Sequence, residues 1–284
     1  MIVVTGSHGQ LGHDVLRCLM QRGQDCIGVD RDELDITDGK AVAAYLDALR
    51  PQAVIHCAAY TAVDKAEEEP EVCRAVNAQG TRAIAAACRR IGAKLLYLST
   101  DYVFSGEGET PYETGSPTGP LDVYGQTKLE GEQAVLECLE RYFIVRISWV
   151  FGLSGQNFVK TMLRLGRERE ELRVVADQVG SPTYTADLAP LLCEMVETNR
   201  YGVYHATNEG FCSWAQFAEE IFRQAGLPTK VQPIPTAEYP AKAARPLNSR
   251  LSRKSLDAAG FSRLPHWKDA LRRYLDELEG AGQR

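Results

Sequence analysis

The sequence predicts an α/β protein, a doubly wound parallel sheet with a smaller C-terminal lobe. Three observations carry this expectation. Short apolar, β-rich runs alternate with amphipathic helical stretches from Met1 to Gly152, the pattern of successive βαβ units. The first run ends in the glycine turn Gly6-Ser7-His8-Gly9-Gln10-Leu11-Gly12 and passes straight into a helical pattern. Each polar cluster falls just after a run, at the carboxyl edge where such sheets hold ligands.

Composition sets the outer bounds. A chain of 284 residues, 44% hydrophobic and 25% charged, is an ordinary globular protein with room for one large domain or a domain and a companion. A net charge of −6 without a basic run argues against a nucleic-acid surface. No apolar stretch approaches the ~18 residues of a membrane helix, and Met1-Ile2-Val3-Val4 lacks the basic start and long apolar run of a signal peptide. Eight scattered cysteines show no CxxC or His/Cys metal spacing. They read as reduced fillers of a cytosolic protein, with no metal site.

The elements follow in order. Met1 to Thr5 is the first strand, and the helix after the glycine turn shows Val15, Leu16, Leu19 and Met20 on its apolar stripe. Gly6 permits the tight turn, Gly9 allows a pyrophosphate against the backbone and Gly12 lets helix and sheet approach, which is the Rossmann arrangement. The spacing is GxxGxxG, and a glycine turn alone does not prove a nucleotide. His8 and His13 read as solvent-side. Cys26 to Val29, the second strand, ends at Asp30, where a carboxylate receives a ribose 2′-hydroxyl; Arg31 beside it can meet a 2′-phosphate. Leu34 to Asp38, with Asp35 and Ile36, reads as a loop under an adenine. A helix over Ala41 to Leu49 stops before Pro51. Ala53 to Cys57 is the third strand, and the small residues of Ala58-Ala59-Tyr60 let a flat cofactor lie against backbone; His56 reads as structural. One long helix is expected from Glu71 to Ile91, then a fourth strand, Lys94 to Leu98, delivering Ser99-Thr100-Asp101-Tyr102-Val103-Phe104 to the same edge. Ser105 to Pro120, rich in Gly, Pro, Thr and Glu, is a loop bordering the pocket. Tyr142 to Ser148 is the fifth strand and ends in Trp149-Val150-Phe151-Gly152.

Beyond Gly152 the alternation loosens. Helices are expected over Asn157 to Leu165 and Asp187 to Glu197, extended chain at Leu172 to Val175 and Val203 to Ala206, and a turn at Asp177 to Thr183. Ser213 reads as the N-cap of an amphipathic helix. A proline-rich passage, Pro228 to Pro246, precedes the closing helix Trp267 to Leu278. The expected division is residues 1–152 for a dinucleotide and residues 153–284 as a substrate-binding lobe, interleaved with the last strands.

Between the fourth and fifth strands lies Asp122-Val123-Tyr124-Gly125-Gln126-Thr127-Lys128 in a helical pattern. Tyr124 and Lys128, four apart, share one helix face. A phenol titrates near pH ~10, and a neighbouring ammonium is expected to pull it towards neutrality and make it a proton donor. Chance alone supplies about 0.4 such pairs in a chain of this composition, so the pair gains weight only with a cofactor site and a pocket beside it.

The glycine turn, Ser99 to Phe104, Tyr124-Gly125-Gln126-Thr127-Lys128, Ser148 to Gly152, Ala62-Val63-Asp64-Lys65-Ala66-Glu67 and Arg245-Pro246-Leu247-Asn248-Ser249-Arg250-Leu251 together resemble the extended short-chain dehydrogenase/reductases. Within them the chain is similar to the reductases of dTDP-linked 4-keto sugars, over nearly its whole length. The resemblance implies NADPH or NADH bound by Gly6, His8, Gly9, Gln10, Leu11, Asp30, Arg31, Asp35, Ile36, Ala58, Ala59, Tyr60, Leu98, Tyr124 and Lys128. It implies Tyr124 as acid, Lys128 as its electrostatic partner and ribose ligand, and Thr100 as a hydrogen-bond donor to the reacting oxygen. Thr100, Asp101, Tyr102, Trp149, Arg245 and Asn248 fall where the family holds a nucleotide-sugar substrate. By position Asn77 supports the sheet beside Lys128; by sequence alone it serves equally as a helix-surface residue. Some members form a dimer bridged by Mg²⁺ through glutamates, but Asp14 and Ala186 stand at those places here, which leaves at most a weak homodimer without metal. Two other readings stay open: an epimerase or dehydratase that retains its NAD, and an NADP-binding regulatory subunit of methionine adenosyltransferase. The joint presence of Thr100, Tyr124, Lys128 and Trp149 favours the reductase.

Overall fold

The protein is described by a computed structural model over residues 1–282. Six parallel strands form its central sheet: β1 (Ile2–Thr5), β2 (Cys26–Val29), β3 (Ala53–His56), β4 (Lys94–Thr100), β5 (Tyr142–Ile147) and β6 (Gly202–His205). Their order is β2-β1-β3-β4-β5-β6. The chain steps outward from β1 to β2 and then crosses back to β3, so the connections leaving β1 and β3 run to opposite faces of the sheet and leave a crevice at the carboxyl ends of these two paired strands.

β1, β3 and β4 are apolar on both faces because helices cover both. Alternate residues serve alternate layers. Val4, Ile55, Leu96 and Val145 meet α1 (Gln10–Gln21) and a later helix, Thr185–Glu197, through Val15, Leu19, Leu188 and Leu192. Val3, Val54, Leu95 and Ile144 meet α2 (Gly39–Leu49), α3 (Thr81–Ile91) and α4 (Val123–Cys138) through Val42, Leu46, Ile84, Cys88 and Val135.

The single helix expected over Glu71 to Ile91 is interrupted. Pro70–Arg74 is α-helical, Ala75–Gly80 is a π-turn, and α3 follows. The widened turn lies where α4 comes closest. A Cβ on Gly131 would stand 2.6 Å from the Asn77 carbonyl oxygen and 2.3 Å from the Tyr97 hydroxyl. Glycine at 131 permits that approach.

The second half builds its own core around Phe151, Tyr184, Phe217, Trp267 and Tyr274. It includes α5 (Phe158–Glu168), α6 (the Thr185–Glu197 helix), α7 (Trp214–Gln224) and α8 (Trp267–Gly282). Ser213 caps α7 through a reciprocal box with Gln216. Strands Glu171–Val175 and Lys230–Ile234 pair in parallel beside it. Two elements of this half complete the central layers of the first, β6 on the edge of β5 and α6 over the sheet. Among the described residues no helix is long and apolar enough to cross a membrane.

Candidate active site

A cavity of about 1230 Å³ runs along the carboxyl edge of the sheet, from the glycine turn to the indoles of Trp149 and Trp214. That volume exceeds the ~300–1,000 Å³ of ordinary ligand pockets. At one end the chain leaves β1 with Gly6 at φ +67°, where a Cβ would stand 2.7 Å from the Ala58 nitrogen. A Cβ on Gly12 would stand 2.1 Å from the Gly6 carbonyl oxygen. No side chain caps α1 at Gly9, so its first amides remain free for an anion. Asp30 braces the turn: its carboxylate accepts from the backbone amides of His8 (3.0 Å) and Arg31 (2.8 Å). The Asp35 carboxyl lies below its usual range because the hydroxyl and amide of Thr37 donate to it. Every residue that the sequence assigned to the cofactor lines this cavity. The bare backbone at Gly6, the free helix start and the acid at the end of β2 fit a dinucleotide.

At mid-cavity α4 supplies Tyr124 and Lys128. Asp122 caps the helix through the Gly125 amide (2.6 Å). Lys128 is 3% exposed; its ammonium donates to the Leu98 carbonyl (2.6 Å) and stands 4.3 Å from the centre of the Tyr97 ring. Thr100, at the end of β4, donates to Asp101 Oδ1 (3.0 Å) and accepts from the Tyr102 amide. Tyr124 meets Tyr102 edge to face, with ring centres 5.4 Å apart.

The electrostatics correct one expectation. With Lys128 one turn away, the phenol is still not drawn towards neutrality: its net shift is upward. Burial pushes Tyr124 up, Thr100 opposes the shift as a hydrogen-bond partner, and the charges of Asp101 and Asp122 add to it. Burial pulls Lys128 down to about 7 against the attraction of Glu132. Desolvation is the largest influence on both groups because both are buried. Burial also lifts Asp101 to about 6 and Asp122 to about 7.

Two residues that the sequence left structural or undecided have clear places. His56 bridges the hydroxyls of Thr5 (2.7 Å) and Thr81 (3.1 Å), and burial holds it down to about 3, neutral at working pH. Asn77, on the π-turn, accepts from the Tyr60 amide (2.8 Å), donates to the Tyr60 carbonyl (3.1 Å) and reaches the Thr127 hydroxyl (3.2 Å). It ties the cofactor-side loop to α4 without touching Lys128.

At the far end Trp149 takes a left-handed backbone, φ +49°, which turns the chain out of β5. Its indole stacks on Trp214 at 3.7 Å and packs over Gly180. Asp101, Tyr102 and Trp149 line the cavity. Arg245 and Asn248 do not. Arg245 grips Asp64, and Asn248 donates to the carbonyls of Glu107 and Thr110, fastening the loop after β4. Trp214, Phe158 and Gln156 line the cavity as well and were not singled out from the sequence. The available signal was Ser213, whose cap fixes Trp214 at the first turn of α7.

Asp14 is 2% exposed and engaged internally, accepting from the Thr185 hydroxyl (2.5 Å) and pairing with Arg17 (3.1 Å). No group of three or more His, Cys, Asp or Glu side chains is placed to hold a metal among the described residues. The site brings together the Tyr124 phenol, the buried Lys128 ammonium and the Thr100 hydroxyl, between the glycine turn and the two indoles. That arrangement suits hydride transfer coupled to protonation of an oxygen.

Comparison with known proteins agrees. The family described as RmlD substrate binding domain matches residues 1–279. The dTDP-4-dehydrorhamnose reductase of Streptomyces griseus is 45% identical over 99% of this chain and 95% of its own length. The crystal structure of a dTDP-4-dehydrorhamnose reductase from Clostridium acetobutylicum is similar at TM-score 0.96 and 42% identity, over 98% of this chain and 99% of that one. That of the Bacillus anthracis dTDP-4-dehydrorhamnose reductase in complex with NADP gives 0.95 and 45%, over 97% and 98%. With this identity running from end to end, and the Tyr-Lys floor and glycine turn in one cavity, the chain belongs to the dTDP-4-dehydrorhamnose reductase family.

Proposed function

We propose that this chain reduces the C4 keto group of dTDP-4-dehydro-L-rhamnose to give dTDP-L-rhamnose, with NADPH or NADH as reductant. The observation that carries this reading is the convergence of Thr100, Tyr124 and Lys128 halfway along one cavity, between a glycine turn and two stacked indoles. When bound, the cofactor supplies a hydride from its nicotinamide C4. Tyr124 gives its proton to the keto oxygen as negative charge builds there. The upward shift of its phenol keeps that proton in place at neutral pH and brings the acid closer in strength to the alcohol being made. Lys128, fixed by the Leu98 carbonyl, stabilises the phenolate left behind. Thr100 hydrogen-bonds the same oxygen, Asp101, Tyr102 and Trp149 hold the nucleotide sugar, and Arg245 and Asn248 frame it from the cavity's outer edge. Residues 1–152 carry the cofactor and residues 153–284 cover the substrate. We place the enzyme in the cytosol, a reading supported by eight free cysteines. NAD(P)H consumption with dTDP-4-dehydro-L-rhamnose, with the product identified by NMR, tests the assignment. No consumption with either cofactor overturns it.

Two expected outcomes bear on the ends of the cavity. Trp149→Ala lowers kcat/KM by about fivefold, an indole's stacking contribution of ~1 kcal/mol, and leaves cofactor affinity unchanged. Equal loss of both, with a lower Tm, makes Trp149 a packing residue. At the other end Asp30 favours a free ribose 2′-hydroxyl while exposed Arg31 can meet a 2′-phosphate. Both cofactors are therefore used, with kcat/KM values within ~100-fold of each other, a balance under ~3 kcal/mol. Arg31→Ala impairs NADPH use and spares NADH in side-by-side kinetics; identical losses show that Arg31 does not reach the 2′ position.

A further inference from the structure

The sequence block Ala62 to Glu67 contributes no group to the chemistry described so far, yet its Asp64 accepts four hydrogen bonds at the cavity's outer edge. It sits on the short helix Val63–Ala66. Asp64 Oδ1 accepts from the backbone amides of Lys242 (3.2 Å) and Ala243 (3.1 Å) and from Arg245 Nη1 (3.1 Å); Oδ2 accepts from Arg245 Nη2 (2.7 Å). Lys242 pairs with Glu68 one turn further on. One carboxylate thus fastens the whole strap Lys242 to Arg245, which comes from the second half of the chain, to the loop after β3. The strap continues into the substrate side. A Cβ on Gly106 would stand 2.5 Å from Pro246 Cα, and the Asn248 amide donates to the Gly106 carbonyl (2.9 Å). The neighbours of Asp64 look the other way, since Val63 and Lys65 line the cavity.

The charge balance of the cavity gives this clamp a use. Its lining contains three Lys or Arg residues, Arg31, Lys65 and Lys128. Arg31 stands past the end of β2, Lys128 is spent on the Leu98 carbonyl, and Lys65 is paired with Glu69 (3.1 Å). A nucleotide diphosphate beyond Tyr102 finds no cation in that wall. Arg245 is close enough to Tyr102 and Asp122 for its charge to act on both, and its side chain is 20% exposed. A guanidinium gripped on one edge by a carboxylate still presents its remaining N–H groups outward, in fixed orientation.

We infer that Asp64 is a positioning residue for the nucleotide-sugar half of the site: it holds the Lys242–Arg245 strap and aims Arg245 at the substrate diphosphate. This rests on the reading proposed above. Asp64 is bonded to the strap and lies outside the cavity lining, so its effect falls on sugar-nucleotide binding and not on hydride transfer.

Asp64→Asn is the direct test. Asparagine keeps a carbonyl oxygen for the Lys242 and Ala243 amides but turns an NH₂ towards Arg245 Nη2, so it removes the counter-charge and one arm of the two-bond grip on the guanidinium and spares the strap. Calorimetric titration of dTDP-L-rhamnose and of NADPH is run on the wild type, Asp64→Asn, Arg245→Ala and the double variant. The expected result is about a tenfold weaker Kd for dTDP-L-rhamnose in Asp64→Asn, an unchanged Kd for NADPH, and a raised KM with kcat within twofold. In the Arg245→Ala background Asp64→Asn adds less than threefold, because its target is already gone. Wild type that binds dTDP-L-rhamnose, with Asp64→Asn binding it equally well, overturns this inference and leaves the reductase reading intact. So does an undiminished loss in the Arg245→Ala background. Wild type that fails to bind dTDP-L-rhamnose overturns the reductase reading, and this inference with it.

Discussion

Replacing Tyr124 by phenylalanine is expected to lower kcat by at least ~100-fold, the scale of a lost general acid, while the Kd for NADPH changes little. Only the hydroxyl is removed. The ring keeps its edge-to-face contact with Tyr102, so the melting temperature stays near that of the wild type. Steady-state kinetics with the dTDP-linked ketone, together with a fluorescence titration of NADPH, decide the matter. Near-normal turnover removes Tyr124 from the chemistry. Lost cofactor binding with a lower Tm shows a folding defect instead.

The second large effect concerns stability. Glu132 lies one turn beyond Lys128 on α4 and pairs with Arg146 on β5, with N···O of 2.7 Å; the two side chains are 3% and 6% exposed. Ser99 donates to the same carboxylate (2.5 Å), and Arg146 also donates to the Thr114 carbonyl (3.0 Å). One buried pair thus joins the catalytic helix, two central strands and the loop after β4. Glu132→Gln leaves a buried guanidinium without its counter-charge, and unfolding free energy is expected to fall by about 3–5 kcal/mol. Replacing both partners, Glu132→Gln with Arg146→Met, removes the orphan charge and recovers a large part of that loss. Urea denaturation of the three proteins measures it. A loss below ~1 kcal/mol in the single variant means that Thr114 and His205, whose Nε2 lies 3.4 Å from Arg146, are sufficient partners.

How much of this was legible beforehand depended on whether the cause was local. The strands were, because Ile2 to Thr5 or Ala53 to His56 can only be buried on both faces, and each runs into a stretch of small residues. The cap at Ser213 was, because its partner Gln216 is three residues away. The π-turn was not. Ala75 to Gly80 carries no signal against an α-helix; the widening belongs to Asn77 gripping the Tyr60 backbone and to Gly131 arriving from α4. Trp214 was passed over as a cavity residue for the same reason, since its stacking partner Trp149 is far away in sequence. The direction of the Tyr124 shift was misjudged because spacing reports the ammonium and says nothing of burial, which is the larger influence. Arg245 and Asn248 lay in a motif that the sequence singles out, but their partners, Asp64 and the loop carbonyls, come from distant segments.

The position of β6 has a consequence for the order in which the molecule can be made. β1 to β5, the glycine turn and the Tyr-Lys helix are all encoded before residue 150, so most of the nucleotide-binding half can assemble while the rest is still being translated. Its sheet cannot close then. The partner of β5 is residues 202–205, which emerge only after the segment 148–201. At ~5–20 residues per second the nascent chain carries an open, apolar edge at Phe143, Ile144 and Val145 for several seconds, the kind of edge that recruits other strands. α6, which covers one face of that sheet, arrives over the same interval. Slow or paused synthesis between residues 148 and 205 therefore prolongs the exposure of this edge.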